Sequence, residues 1–136
     1  MDVRLLSTDA DREAAVPIMQ QLWSDADAEE ILEWTGEDDY RLFGRFDDGE
    51  LVGVAGVLVR DVLHHARHAW LYDLVVAESR RGEGHGSALV SFVESWADEH
   101  DCEHVALASP LEKTDVHRYY EDRGYERWGY VIEKSL

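Results

Sequence analysis

Between Leu74 and Ser87 the chain passes from an apolar run, Leu74-Val75-Val76, into a turn containing Gly82, Gly84 and Gly86, and then into an amphipathic stretch. Glycines at alternating positions remove Cβ atoms, so successive backbone N–H groups can converge on one point. That point falls at the start of a helix, where unpaired amides and the helix dipole favour an anion. The chemistry implied is binding of a phosphate or diphosphate. A tight strand-to-helix connection would use the same glycines, so the turn alone leaves both uses open. Two familiar phosphate loops are excluded. A Walker loop ends in Gly-Lys-Ser/Thr, and Gly86-Ser87 has no lysine between them. A dinucleotide turn opens a βαβ unit and is answered by an acid after the next strand. Here a hairpin precedes the turn, and the next strand leads to Ser109-Pro110.

His64, His65 and His68 are a second group with chemical potential. An i,i+4 histidine pair suits a metal on a helix, but this stretch reads as a strand-to-strand connection, so no metal is expected. Cys102 is the only cysteine, which excludes an internal disulfide and points to an intracellular, cytoplasmic protein.

The elements that must position the glycine turn follow from hydrophobic periodicity. Val3–Leu6 suits a first strand. From Asp11 to Trp23, Ala15, Ile18, Met19 and Leu22 recur at helical spacing, and Pro17 is expected to kink this helix or delay its start. Ser24 to Asp39 carries eight acids and no base around Ile31, Leu32 and Trp34, an exposed second helix. Arg41–Phe46 and Leu51–Val59 flank Asp47-Asp48-Gly49-Glu50 as a hairpin. A third strand, Trp70–Val76, is expected after a polar connection from Asp61 to His68. Strict alternation places Trp70, Tyr72, Leu74 and Val76 on one face, and Leu71, Asp73 and Val75 on the other. Gly86–His100 is the clearest helix, with Leu89, Phe92, Val93, Trp96 and Ala97 in one stripe. His104–Ala108 is a short buried strand, Thr114 caps a helix ending at Gly124, and Tyr130–Leu136 closes the chain as a strand. At 136 residues the chain is expected to form one domain, 1–136, of the α/β (α+β) class. Its order is β-α-α-β-β-β-α-β-α-β, a mixed sheet with helices on both faces.

With the elements placed, Arg81-Gly82-Glu83-Gly84-His85-Gly86 resembles the Arg/Gln-x-x-Gly-x-Gly/Ala signature of the GNAT superfamily of N-acetyltransferases. Val116-His117-Arg118-Tyr119-Tyr120-Glu121-Asp122-Arg123-Gly124-Tyr125 is similar to that family's late Ala-His-x-Phe-Tyr-Glu-x-x-Gly-Phe/Tyr pattern. The two patches together are far more specific than either alone. The resemblance covers nearly the whole chain and implies a mostly antiparallel central sheet. It also implies acetyl-CoA as co-substrate, without a metal, and an amine acceptor. In such proteins the strand before the glycine turn splays from the next one, here His104–Ala108, and the pantetheine arm enters the gap. By position, Leu74, Val75 and Val76 would contact the pantetheine and acetyl group through backbone atoms. Arg81, Gly82, Glu83, Gly84, His85, Gly86 and Ser87 would hold the diphosphate. A backbone N–H near Val75 or Val76 would polarise the thioester carbonyl.

The same resemblance implies that Tyr120 protonates the departing thiolate, with Tyr119 beside it as a packing residue. The general base is where the chain departs from the family. Many relatives carry Glu-Asp where this sequence reads Tyr72-Asp73, and a phenol is a poor base near neutral pH. Asp73, Tyr72 and a water chain all remain open. Asp73 could equally be a buried structural carboxylate. Neither motif contains a cysteine nucleophile, so direct attack of the amine is expected.

Composition narrows the partners. Thirty acids against 13 Lys+Arg give a formal net charge of −17, which argues against nucleic acid and anionic membrane. The apolar runs fall short of the roughly 20 residues a membrane helix needs, and the start is unlike a signal peptide. Eleven of the 13 basic residues are arginines. Acid-rich, lysine-poor surfaces are similar to those of halophilic proteins, and the melting temperature is expected to rise with KCl as salt screens self-repulsion. The acidic run Asp25 to Asp39 lies where relatives build their acceptor pocket, although in so acidic a chain such a run is mostly background. An edge strand near the C-terminus would allow a homodimer. A non-catalytic acyl-CoA-binding sensor of the same fold is the rival, favoured by Tyr72 at the glutamate position. A cofactor-free acidic interaction protein is a third reading and predicts no thermal shift with acetyl-CoA.

Overall fold

The computed structural model describes residues 2–136. Strand β1 (Asp2–Leu5) leads to helix α1 (Asp9–Met19), α2 (Ala28–Thr35), β2 (Tyr40–Asp47), β3 (Glu50–Val62) and β4 (Ala66–Val76). A 3-10 turn (Glu78–Arg80) then precedes α3 (His85–Glu99), β5 (His104–Ala106) and α4 (Thr114–Asp122). The contacts divide into two compact units, one ending at Ala106 and one running Leu107–Leu136.

In the first unit the five strands lie in the order β1-β2-β3-β4-β5, antiparallel except for the parallel β4–β5 pair. Leu42 and Phe43, neighbours in β2, go to opposite faces as the pleat requires. Leu42 joins a buried cluster with Ala15, Ile18 and Met19 of α1 and Ile31 of α2. Phe43 packs edge-on against Phe92 and Trp96 of α3, at ring separations of 5.1 and 5.2 Å. The expected mixed sheet with helices on both faces is therefore observed.

Local capping sets the helix starts. The Thr8 hydroxyl accepts from the Asp11 amide at 3.1 Å, so α1 begins at Asp9, ahead of expectation, and runs through Pro17 in its final turns. Asp27 and Glu30 form a reciprocal capping box for α2.

Three sequence expectations about the strands need correction. The connection between β3 and β4 is only residues 63–65, because both strands extend through the polar stretch and bury His68. Face alternation in β4 is broken. Gly56 pairs with Asp73 and Val57 with Leu71, so Tyr72 is an extra, bulged residue. Trp70 pairs with Leu58, which packs on the α1–α2 cluster, and the bulge brings Asp73 round to that same face. The expected closing strand Tyr130–Leu136 does not form. Its apolar residues Tyr130, Val131, Ile132 and Leu136 are exposed, and with no ladder partner among the described residues an apolar run alone makes no strand.

In the second unit α4 starts at Thr114, which is its first helical residue rather than its cap. It ends as expected. Gly124 has φ +95°, its amide donates to the Glu121 carbonyl, and the Tyr125 amide donates to the Tyr120 carbonyl, both at 3.0 Å. This is a Schellman motif, completed by the Tyr120 and Tyr125 rings 5.1 Å apart.

Candidate active site

The β4–β5 ladder is short. His68, Ala69 and Trp70 pair with His104, Val105 and Ala106, and β4 then continues to Val76 without β5. Among the described residues Leu74 and Val75 therefore pair only with β3 on their other side, opposite Ala55 and Val54. The Val76 carbonyl accepts from Arg81 Nε at 3.2 Å. Beyond Trp70, β4 therefore runs on as the edge of the five-stranded sheet among the described residues.

Beyond β4 the chain enters the glycine turn. Gly82 and Gly84 have φ of +79° and +90°, which L side chains rarely adopt. A Cβ at either position would meet nothing within 4 Å, so both face open space. The first helical bond of α3 runs from the Ala88 amide to the Gly84 carbonyl at 3.1 Å. Among the described residues, the amides of Gly82, Glu83, Gly84, His85 and Gly86 donate to no backbone carbonyl. They form a row of donors at the positive end of a 15-residue helix. Ser87 is the third residue of that helix.

The side chains of the turn are tied to the β2–β3 hairpin. Arg80 bridges Asp47, Glu50 and Glu83, and His85, 2% exposed, reaches the Glu83 carboxylate through Nε2 at 3.0 Å. These two partners, His85 first and Arg80 second, hold the Glu83 carboxyl below the usual carboxylate range. Asp47, Glu83 and His85 are also the one grouping of metal-ligating types among the described residues. The Arg80 guanidinium already bonds both carboxylates, so a cation there would face a fixed positive charge.

Asp73 is 1% exposed and sits beneath three donors. Trp23 Nε1 donates at 2.7 Å, Trp34 Nε1 at 2.8 Å and the Tyr40 hydroxyl at 2.5 Å. Gly56 makes this possible, since a Cβ there would lie 1.6 Å from the Tyr40 oxygen. Burial first, and then the neighbouring Asp73 charge, raise the Tyr40 phenol well above its ordinary value, so it stays a donor. Tyr72, 49% exposed, packs its ring 5.6 Å from Trp34. No local sequence signal links Trp23, Trp34 and Tyr40 to Asp73. Asp73→Ala is expected to lower stability by about 1–3 kcal/mol for each donor that water cannot reach, read as a shifted urea midpoint. An unchanged midpoint would show the carboxylate to be structurally dispensable.

Tyr120 lies in the second unit, 8% exposed, between the rings of Tyr119 and Tyr125, each 5.1 Å away. His117 in the same unit meets the Pro110 carbonyl through Nε2 at 2.9 Å. His65 is stacked between His68 and His104 at 4.8 and 5.0 Å.

A five-stranded, mostly antiparallel sheet flanked by helices, with a left-handed glycine turn between β4 and α3, defines a mixed α/β domain. The family model for the acetyltransferase (GNAT) family matches residues 9–125, and the chain belongs to that family. It is 31% identical over 124 residues to YhdJ, an uncharacterized N-acetyltransferase of Bacillus subtilis (strain 168), covering 88% of this chain and 84% of that one. It is 33% identical over 100 residues to the aminoalkylphosphonate N-acetyltransferase of Salmonella typhimurium (strain LT2), covering 71% of this chain and 62% of that protein. The aminoglycoside N-acetyltransferase AAC(6')-Iy in complex with CoA matches the fold with a TM-score of 0.84 at 22% identity, over 99% of this chain and 93% of that one. No helix among the described residues is long and apolar enough to cross a membrane.

Proposed function

We propose that the protein transfers an acetyl group from acetyl-CoA to a primary amine by direct attack, without a covalent enzyme intermediate. The carrying observation is the pairing of two features on one segment: the β4–β5 ladder ends at Trp70, and directly downstream a turn with open space at Gly82 and Gly84 carries amides, 82–86, that donate to no backbone carbonyl among the described residues. The open space at Gly82 and Gly84 fits a diphosphate, and the unpaired β4 edge fits an extended pantetheine arm. Acetyl-CoA supplies the activated thioester. Leu74, Val75 and Val76 orient it through backbone atoms, a β4 amide polarises its carbonyl, and residues 81–87 anchor its phosphates. Tyr120 donates its phenolic proton to the departing sulfur, a role that rests on the motif around it.

The acceptor arrives as an ammonium and must lose a proton first. The three donors on Asp73 and its burial favour an anchoring role for that carboxylate over proton abstraction. Water is then the proton acceptor, with the exposed Tyr72 phenol a weak one. The burial of Asp73 also supports the second reading, a non-catalytic acyl-CoA sensor.

Titration with acetyl-CoA in a calorimeter, followed by thiol release with a panel of primary amines, separates these readings. Binding together with amine-dependent release is expected. Tight binding with no release for any amine would favour the sensor, and no binding would overturn both.

A further inference from the structure

The glycine turn carries an acid where an incoming diphosphate tolerates one least. Glu83 lies between Gly82 and Gly84, where a Cβ would enter open space, so its carboxylate starts within a few bonds of the amides assigned to the diphosphate. Left to itself, that charge would repel a polyanion in a chain already at −17. It is not left to itself. Glu83 Oε1 accepts from Arg80 Nε at 3.1 Å and from His85 Nε2 at 3.0 Å. Arg80 continues to Asp47 of β2 and to Glu50 of β3, the latter at 3.2 Å. His85 continues to β2 as well, because its Nδ1 accepts from Arg45 Nε at 3.3 Å. An arginine can only donate, so His85 Nδ1 carries a lone pair and the imidazole proton sits on Nε2, aimed at Glu83. The carboxylate is thereby drawn toward the hairpin from two directions, and the turn is tied to β2 and β3 at two points.

We propose that Arg80 and His85, braced by Asp47, Glu50 and Arg45, clamp the Glu83 carboxylate toward the hairpin, so that the turn offers amides rather than a negative charge to the diphosphate. This rests on the proposed assignment of residues 81–87 to acetyl-CoA. Arg80 and His85 are positioning residues: they act through Glu83 and the backbone of the turn.

The test is a double-mutant cycle on the full chain, reading acetyl-CoA affinity by calorimetry together with KM and kcat. Arg80→Ala should weaken acetyl-CoA binding roughly tenfold or more, with the change in KM rather than in kcat. Arg80→Ala/Glu83→Gln should recover most of that loss, because the uncompensated charge is gone; Glu83→Gln alone closes the cycle. Raising KCl from about 0.1 M to about 1 M should shrink the Arg80→Ala deficit as the screening length falls to about 3 Å. His85→Gln keeps a donor and an acceptor and should bind better than His85→Leu. Additive losses in the double variant, or an Arg80→Ala protein that binds like wild type, would overturn the clamp while leaving the acetyl-CoA assignment standing. A wild-type protein that fails to bind acetyl-CoA would overturn both. Arg80→Gln serves as the second variant if alanine unfolds the chain, and it carries the same expectation.

Discussion

Gly84→Leu is expected to weaken acetyl-CoA binding by about 100-fold or more, close to 2.7 kcal/mol. Two effects combine. Gly84 sits at φ +90° and ψ +7°, so any side chain there carries backbone strain on the order of 1–3 kcal/mol. The new Cβ would meet no protein atom within 4 Å, so the protein can keep its fold and place the side chain in the space assigned to the diphosphate. Calorimetry with acetyl-CoA reads the loss, and circular dichroism checks the fold. Wild-type affinity in a folded Gly84→Leu protein would remove the turn from the binding site.

Tyr120→Phe should act on the opposite term. The ring packs 5.1 Å from both Tyr119 and Tyr125, and phenylalanine preserves those contacts while removing the O–H. If the phenol protonates the leaving sulfur, kcat should fall by about 10²–10⁴. Acetyl-CoA affinity should stay within about twofold, because the interaction belongs to the transition state rather than to the bound ground state. Steady-state kinetics alongside calorimetry separates the two quantities. A parallel fall in affinity and turnover would reassign Tyr120 to packing.

Much of the first unit was legible because its signals are local. The stripe Leu89, Phe92, Val93, Trp96 and Ala97 predicts α3 to within a residue, since burial of one helical face needs only a 3.6-residue period. Asp47–Glu50 predicts the β2–β3 hairpin in the same way, and Gly124 the end of α4. Tyr130–Leu136 shows the limit. A run of β-prone apolar residues such as Tyr130-Val131-Ile132 becomes a strand only when a ladder accepts its amides and carbonyls, which the run itself does not specify. The β4 bulge is a failure of the same kind. Alternation put Tyr72 and Asp73 on opposite faces, but pairing with β3 inserted one extra residue between Leu71 and Asp73 and reset the phase.

From its own residues the chain specified the glycine turn, the helix behind it and the two patches that mark the family, because a left-handed turn and a helical stripe are written in neighbours a few positions apart. Tertiary structure alone decided what surrounds them. It brought Trp23, Trp34 and Tyr40 onto Asp73 across separations of 50, 39 and 33 residues. It also set Arg80 against Asp47 and Glu50 of the hairpin. Hydrogen bonds and ion pairs act over a few ångströms of space whatever the distance along the chain, so these partnerships exist only once the sheet has fixed its register.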